Sequence, residues 1–141
     1  MSRQPAVAAR REAESAEKVT VNLGFVDLGQ IDLLVQESFY ANRSDFIRAA
    51  IRQQLAQHRA FLEAAVSRQP LAVGLQRLTR TQLEQALQAG ERLRLRVLGL
   101  LTIDPDVPAA LAASTIDAIT VLGALHASPE VRAALHDRIR A

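Results

Sequence analysis

Cysteine is missing from all 141 residues, which removes both a disulfide framework and a thiolate metal site and makes a reducing, cytoplasmic setting the expectation. No apolar run reaches the roughly 18 residues of a membrane span. The first stretch, MSRQPAVAARREAESAEK, lacks the continuous apolar core of a secretion signal. Catalytic spacings are equally scarce. There is no Gly-rich phosphate loop, HExxH, GxSxG or paired-carboxylate motif, and Asp104 and Asp106 only flank a proline at a turn. No nucleophile, base and orienting group can be assembled, so no enzyme is expected. His58, His126 and His136 are spread over three segments, and neither a metal nor another cofactor is expected. An excess of charge is lacking too: 17 Lys and Arg face 15 Asp and Glu, a formal net charge of +2, which by itself does not argue for nucleic acid.

What is present is apolar material in quantity. Hydrophobic residues make up 49% of the chain, enough for one domain or two small ones with real cores. The sequence divides into an arm (1–17), a first region (18–68) and a second region (69–141). Arg3, Arg10, Arg11 and Lys18 sit among small and polar residues with little to bury, so the arm reads either as a solvated tail or as a set of phosphate contacts, with Arg10 and Arg11 the candidates.

The first region opens on EKVTVNLGFVDLG. Val19, Val21 and Leu23 alternate with Lys18, Thr20 and Asn22, the period of a strand with one dry and one wet face. Gly24 ends the strand. Asp27 is the expected cap of a helix carrying Leu28, Ile31, Leu34, Val35 and Phe39. Asn42 and Arg43 form a turn, Ser44 is the expected N-cap of the next helix, and Asp45 suits its first turn. That helix bears Phe46, Ile47, Ala50, Ile51 and Leu55, and its expected course continues past His58 to about Val66. One strand and two helices cannot close a core of this size, so a second strand has to come from elsewhere. An identical chain is the simplest source, giving a two-stranded antiparallel ribbon over four helices.

Residues 17–58, EKVTVNLGFVDLGQIDLLVQESFYANRSDFIRAAIRQQLAQH, resemble a ribbon-helix-helix domain of the CopG, Arc and MetJ type, with NRSDFIRAAIRQQL the part most similar to that family's turn and second helix. The resemblance implies an intertwined homodimer, α+β in class, that lays its ribbon in the major groove of double-stranded DNA. It also implies base reading by Lys18, Thr20 and Asn22 and phosphate anchoring by Asn42, Arg43 and Ser44. The chemistry of these residues agrees. Lys reaches guanine O6 and N7, Asn bonds adenine N6 and N7, and Thr bonds an edge or touches a thymine methyl. A helix N-terminus with Arg43 beside it suits a phosphate.

The second region repeats itself. VLGLLTIDPDVPAAL from Val97 and VLGALHASPEVRAAL from Val121 match at a shift of 24 residues, pairing Gly99 with Gly123, Pro105 with Pro129, Val107 with Val131 and Leu111 with Leu135. At the same shift Leu83, Ala86 and Leu87 align with Val107, Ala110 and Leu111. Each copy reads as a strand, a tight turn and a short helix, with the prolines near the helix starts. The expected strands are LAVGL, LRLRVLGLLTI and AITVLGAL, running parallel in a small α/β repeat domain, solenoid-like or compact. Arg92, Arg94 and Arg96 share one strand face, either solvated or a second anionic-partner surface. A sequence-specific repressor with a C-terminal domain for oligomerisation or partner binding is the leading expectation. A toxin-neutralising antitoxin that autoregulates its operon, and a scaffold that has lost DNA binding, are the other two.

Overall fold

In the computed structural model, which describes residues 16–140, the chain divides into two compact units, Lys18–Gln69 and the part from Pro70 onward. The arm expected at 1–17, with Arg3, Arg10 and Arg11, lies almost wholly outside the described residues.

In the first unit residues 18–24 form neither helix nor strand within the single chain. A strand is defined by its partner, and a lone chain supplies none. Helix α1 spans Phe25–Gln36. Its N-cap is Gly24, whose carbonyl accepts the Leu28 N–H at 3.0 Å; Asp27, expected as the cap, lies inside the first turn, where a carboxylate favours the positive end of the helix. At the other end the Phe39 N–H reaches the Leu34 carbonyl and the Ser38 N–H the Val35 carbonyl, both at 3.0 Å, which closes the helix through a left-handed residue. That residue is Ser38, at φ 66°, in a seat that glycine usually takes.

Helix α2 spans Arg43–Gln57, and its N-cap is Asn42 rather than Ser44. The Asn42 side-chain oxygen accepts the Asp45 N–H at 2.8 Å, while Asp45 Oδ2 accepts the Ala41 N–H at 3.0 Å. Two backbone donors are thus satisfied by reciprocal side chains, and Ser44 becomes the second helical residue. The ring of Tyr40 meets Phe46 edge-on at 5.1 Å. The expected continuous helix is interrupted: α2 stops at Gln57, His58 turns with its N–H on the Leu55 carbonyl, and helix α3 runs over Arg59–Arg68. No proline or glycine marks this break.

The second unit is a mixed α/β layer. Strand β1 (Ala72–Leu78) leads to helix α4 (Arg80–Gln88), β2 (Leu93–Ile103) to α5 (Ala109–Thr115), and β3 (Ile116–His126) to α6 (Pro129–Ala134). A short 3-10 turn (His136–Arg138) then enters β4 (Ile139–Arg140). The four strands are all parallel, in the order β1-β2-β3-β4. Strand β2 has the expected bounds, β1 starts one residue later and runs three residues further than expected, β3 is longer at both ends, and β4 is not foreshadowed by the sequence. Thr79 begins α4 with a reciprocal capping box to Gln82. Pro129 stands in the first turn of α6, as expected. Pro105 does not start a helix: it lies in a turn closed by the Val107 N–H on the Asp104 carbonyl, and α5 begins only after Pro108.

Alternation along the strands separates two faces. Val97, Leu101 and Ile103 of β2 and Ile116, Ile119 and Val121 of β3 pack with Leu83, Val107, Ala112, Val131 and Leu135 into one buried core. Leu83, Val107 and Val131, each 24 residues from the next, hold equivalent places in it. The repeat is also the register: Val97 pairs with Val121, Leu98 with Leu122 and Gly99 with Gly123. On β1 the partner of Gly99 is Gly74, so three glycines form a column across the sheet, all with φ between 108° and 137°.

Candidate nucleic-acid interface

The first unit buries very little. Among its described residues only Ile31 belongs to the buried apolar set, whereas Phe25 is 94% exposed, Val19 81%, Val21 70%, Phe39 71% and Phe61 66%. Leu33, Ile47, Ile51 and Leu55 are also exposed. An isolated soluble unit does not leave so much of its apolar surface wet. These exposed apolar side chains are distributed over the segment before α1, both main helices and α3.

Lys18, Thr20 and Asn22 are exposed and alternate with Val19, Val21 and Leu23, exposed in the same segment. Within the single chain the segment forms no strand, so no sheet fixes a common direction for them. Asn42, Arg43 and Ser44, by contrast, are brought together at the N-terminus of α2. There the first backbone N–H groups of the helix lack intrahelical acceptors, and the helix dipole presents its positive end. Asn42 spends its side-chain oxygen on the Asp45 N–H and its carbonyl on the Phe46 N–H at 3.2 Å, which leaves its side-chain NH2 as a donor for an outside partner.

Arg43 is not a solitary cation. Its Nε and Nη2 donate to Oδ1 and Oδ2 of Asp32 on α1, each at 2.7 Å, a bidentate pair on an exposed surface. The Arg43 hydrogen bond holds the Asp32 carboxyl below the usual aspartate value, against a smaller opposing effect of burial, and the same bond raises Arg43. Asp32 was not singled out in the sequence; an acidic residue 11 positions before an arginine, across a turn, carries no local signal. Arg10 and Arg11, the other phosphate candidates, lie outside the described residues.

Several arginines of the second unit are paired with carboxylates as well. Arg92 Nη2 and Arg94 Nε approach the two oxygens of Asp117 at 3.4 and 3.3 Å, and Arg77 grips Asp104 at 2.6 and 2.9 Å. That grip lowers the Asp104 carboxyl below its usual value. Arg92 precedes β2 rather than lying in it. Among the described residues no three His, Cys, Asp or Glu side chains come together as a metal site, and no helix is long and apolar enough to cross a membrane.

The sequence profile of the ribbon-helix-helix transcriptional regulator family matches residues 14–132. This reaches far beyond the 17–58 segment, through β3 and into α6, so both units fall within the family's pattern. No curated protein and no solved structure matches the chain. The chain belongs to the ribbon-helix-helix transcriptional regulator family.

Proposed function

We propose that the protein is a dimeric, sequence-specific DNA-binding repressor of the cytoplasm, reading the major groove with a ribbon made from residues 18–23 of two chains. The observation that carries this is the exposed apolar set of the first unit, Val19, Val21, Phe25, Phe39, Ile51 and Leu55 among them, around a single buried residue, Ile31. Pairing the two segments 18–23 antiparallel sets Val19, Val21 and Leu23 over the helices and leaves Lys18, Thr20 and Asn22 of each chain toward the bases. Asn42, Arg43 and Ser44 then meet backbone phosphates, which position the ribbon without reading sequence. The second unit, a solenoid-like parallel repeat in this reading, serves association between chains. Its packed core distinguishes it from the unstructured tail with which an antitoxin wraps its toxin.

The test is selection of bound duplexes from random DNA at fixed ionic strength, with the full chain and with a variant carrying Lys18→Ala, Thr20→Ala and Asn22→Ala. The full chain enriches a two-fold half-site and the variant binds without enrichment. Absence of any salt-dependent binding by the full chain refutes the proposal.

A further inference from the structure

The sheet of the second unit has helices packed on one face only. On the other face, strand alternation and pairing register build two apolar rows, Val73–Leu98–Leu122 and Leu75–Leu100–Ala124, running across β1, β2 and β3. None of the six belongs to the buried core or to the side chains packed against it. Val73 is 60% exposed, Leu75 67% and Leu122 47%. Parallel sheets are almost always covered on both faces, so six aliphatic side chains in the middle of a bare parallel face are a surface waiting for a cover.

The chemistry of the face narrows the occupant. Its two apolar rows carry no charge; Arg94 and Arg96 flank them at one end and Arg77 at the other, with Arg94 held by Asp117 and Arg77 by Asp104. The two rows are aliphatic, the character of the inner surface of a two-sheet stack, in which sheets lie about 10 Å apart. Size decides the rest. The patch is six aliphatic side chains, against the roughly 20 to 30 residues a side of a standard association between free proteins. Such a contact is too small to recruit a diffusing partner but sufficient for one already tethered. Only three residues separate α3 from β1, so a dimer formed by the first unit holds two such faces at an effective concentration on the order of millimolar.

We infer that the bare sheet face of the second unit packs against the same face of the second chain held in the same dimer, around a two-fold axis near Leu98 and Leu100 of the central strand. The inference rests on the dimeric reading given above and adds the surface through which the second units meet. Aliphatic rows close on their own copies, as an isologous contact requires.

The absence of cysteine makes the test direct. Leu100→Cys in the full chain introduces a single thiol on the proposed axis, Leu75→Cys places one at a more exposed point of the same face, and Gln85→Cys on the exposed side of α4 is the control. With a short bismaleimide, both face variants are expected to link chains in pairs, independently of protein concentration, while the control stays largely single. Adding Leu122→Lys is expected to cut the linking by at least about tenfold, with dimer mass and DNA half-site unchanged. Linking no better than the control, in a protein that is dimeric and selects DNA, overturns this inference alone. Linking that grows with concentration and yields four-chain species overturns the assignment of the face to the same dimer. A monomer without DNA selection overturns the regulator reading and this inference together.

Discussion

Gly123 stands so close to Gly99 that a Cβ on it would overlap the Gly99 carbonyl oxygen, and Gly99 meets the carbonyl of Gly74 in the same way. Both hold φ values, 125° and 137°, that side-chain-bearing residues rarely adopt. Space and backbone conformation therefore each exclude a side chain. The carbonyl that would be struck belongs to a paired strand and has no room to retreat.

Alanine in this column is accordingly expected to be severe and graded by position. Gly99→Ala and Gly123→Ala each lose about 3 kcal/mol or more of stability, measured by denaturant unfolding of the second unit's signal in the full chain. Gly74→Ala costs less, because its left-handed φ of 108° is strained but nothing lies within 4 Å of the added carbon. Equal losses at all three positions would contradict the steric part of the account.

In the proposed complex the Asp32 carboxylate would compete with phosphate for Arg43. Asp32→Asn frees the guanidinium, so DNA affinity is expected to rise for every sequence alike, with a steeper dependence on salt. The pH behaviour follows from the sign of the shift. Asp32 is held below the usual aspartate value, so the ion pair contributes at all pH above that range and is lost only as pH falls through the lowered value. Between about pH 5 and 8 the pair should leave affinity unchanged, and a titration of wild-type binding across that interval checks it.

Readers and anchors are separable by how they fail. Asn22→Ala or Thr20→Ala is expected to cost about 1 to 3 kcal/mol on the preferred site and to relax choice at one base pair. Arg43→Ala weakens preferred and random duplexes equally and lowers the salt slope by about one per chain. Competition assays against mismatched sites at two salt concentrations distinguish the two patterns.

Ser38 offers a change in the opposite direction. It closes α1 from the left-handed region at φ 66°. Ser38→Gly removes that strain and is expected to stabilise the protein by about 1 kcal/mol, read as a higher melting temperature with DNA selection intact.

Much of this was legible before any coordinates, and the failures have physical reasons. Gly99 and Gly123 repeat within nearly identical neighbours, so their 24-residue shift already contained the β2-β3 register. The third glycine escaped because Gly74 precedes Leu83 by nine residues, while Gly99 precedes Val107, and Gly123 precedes Val131, by eight. A shift tuned to the helices therefore missed the strand by one place. The α2 cap was misassigned because Asn42 and Ser44 are both competent acceptors. The tie is broken by Asp45, whose N–H turns to Asn42 and whose carboxylate reaches Ala41. Charge pairing across long loops, Arg94 with Asp117 or Arg77 with Asp104, leaves no periodic trace at all, and a two-residue strand such as β4 is below any pattern's reach.

In the second unit each strand pairs only with the strands before and after it in the chain. Such a layer grows by rungs: a whole strand-turn-helix segment can be spliced in beside β2 or β3, keeping its glycine in the column, without disturbing any distant neighbour. The span of the bare face is thus adjustable in evolution by adding or deleting one rung, with no change to the sequence of the first unit.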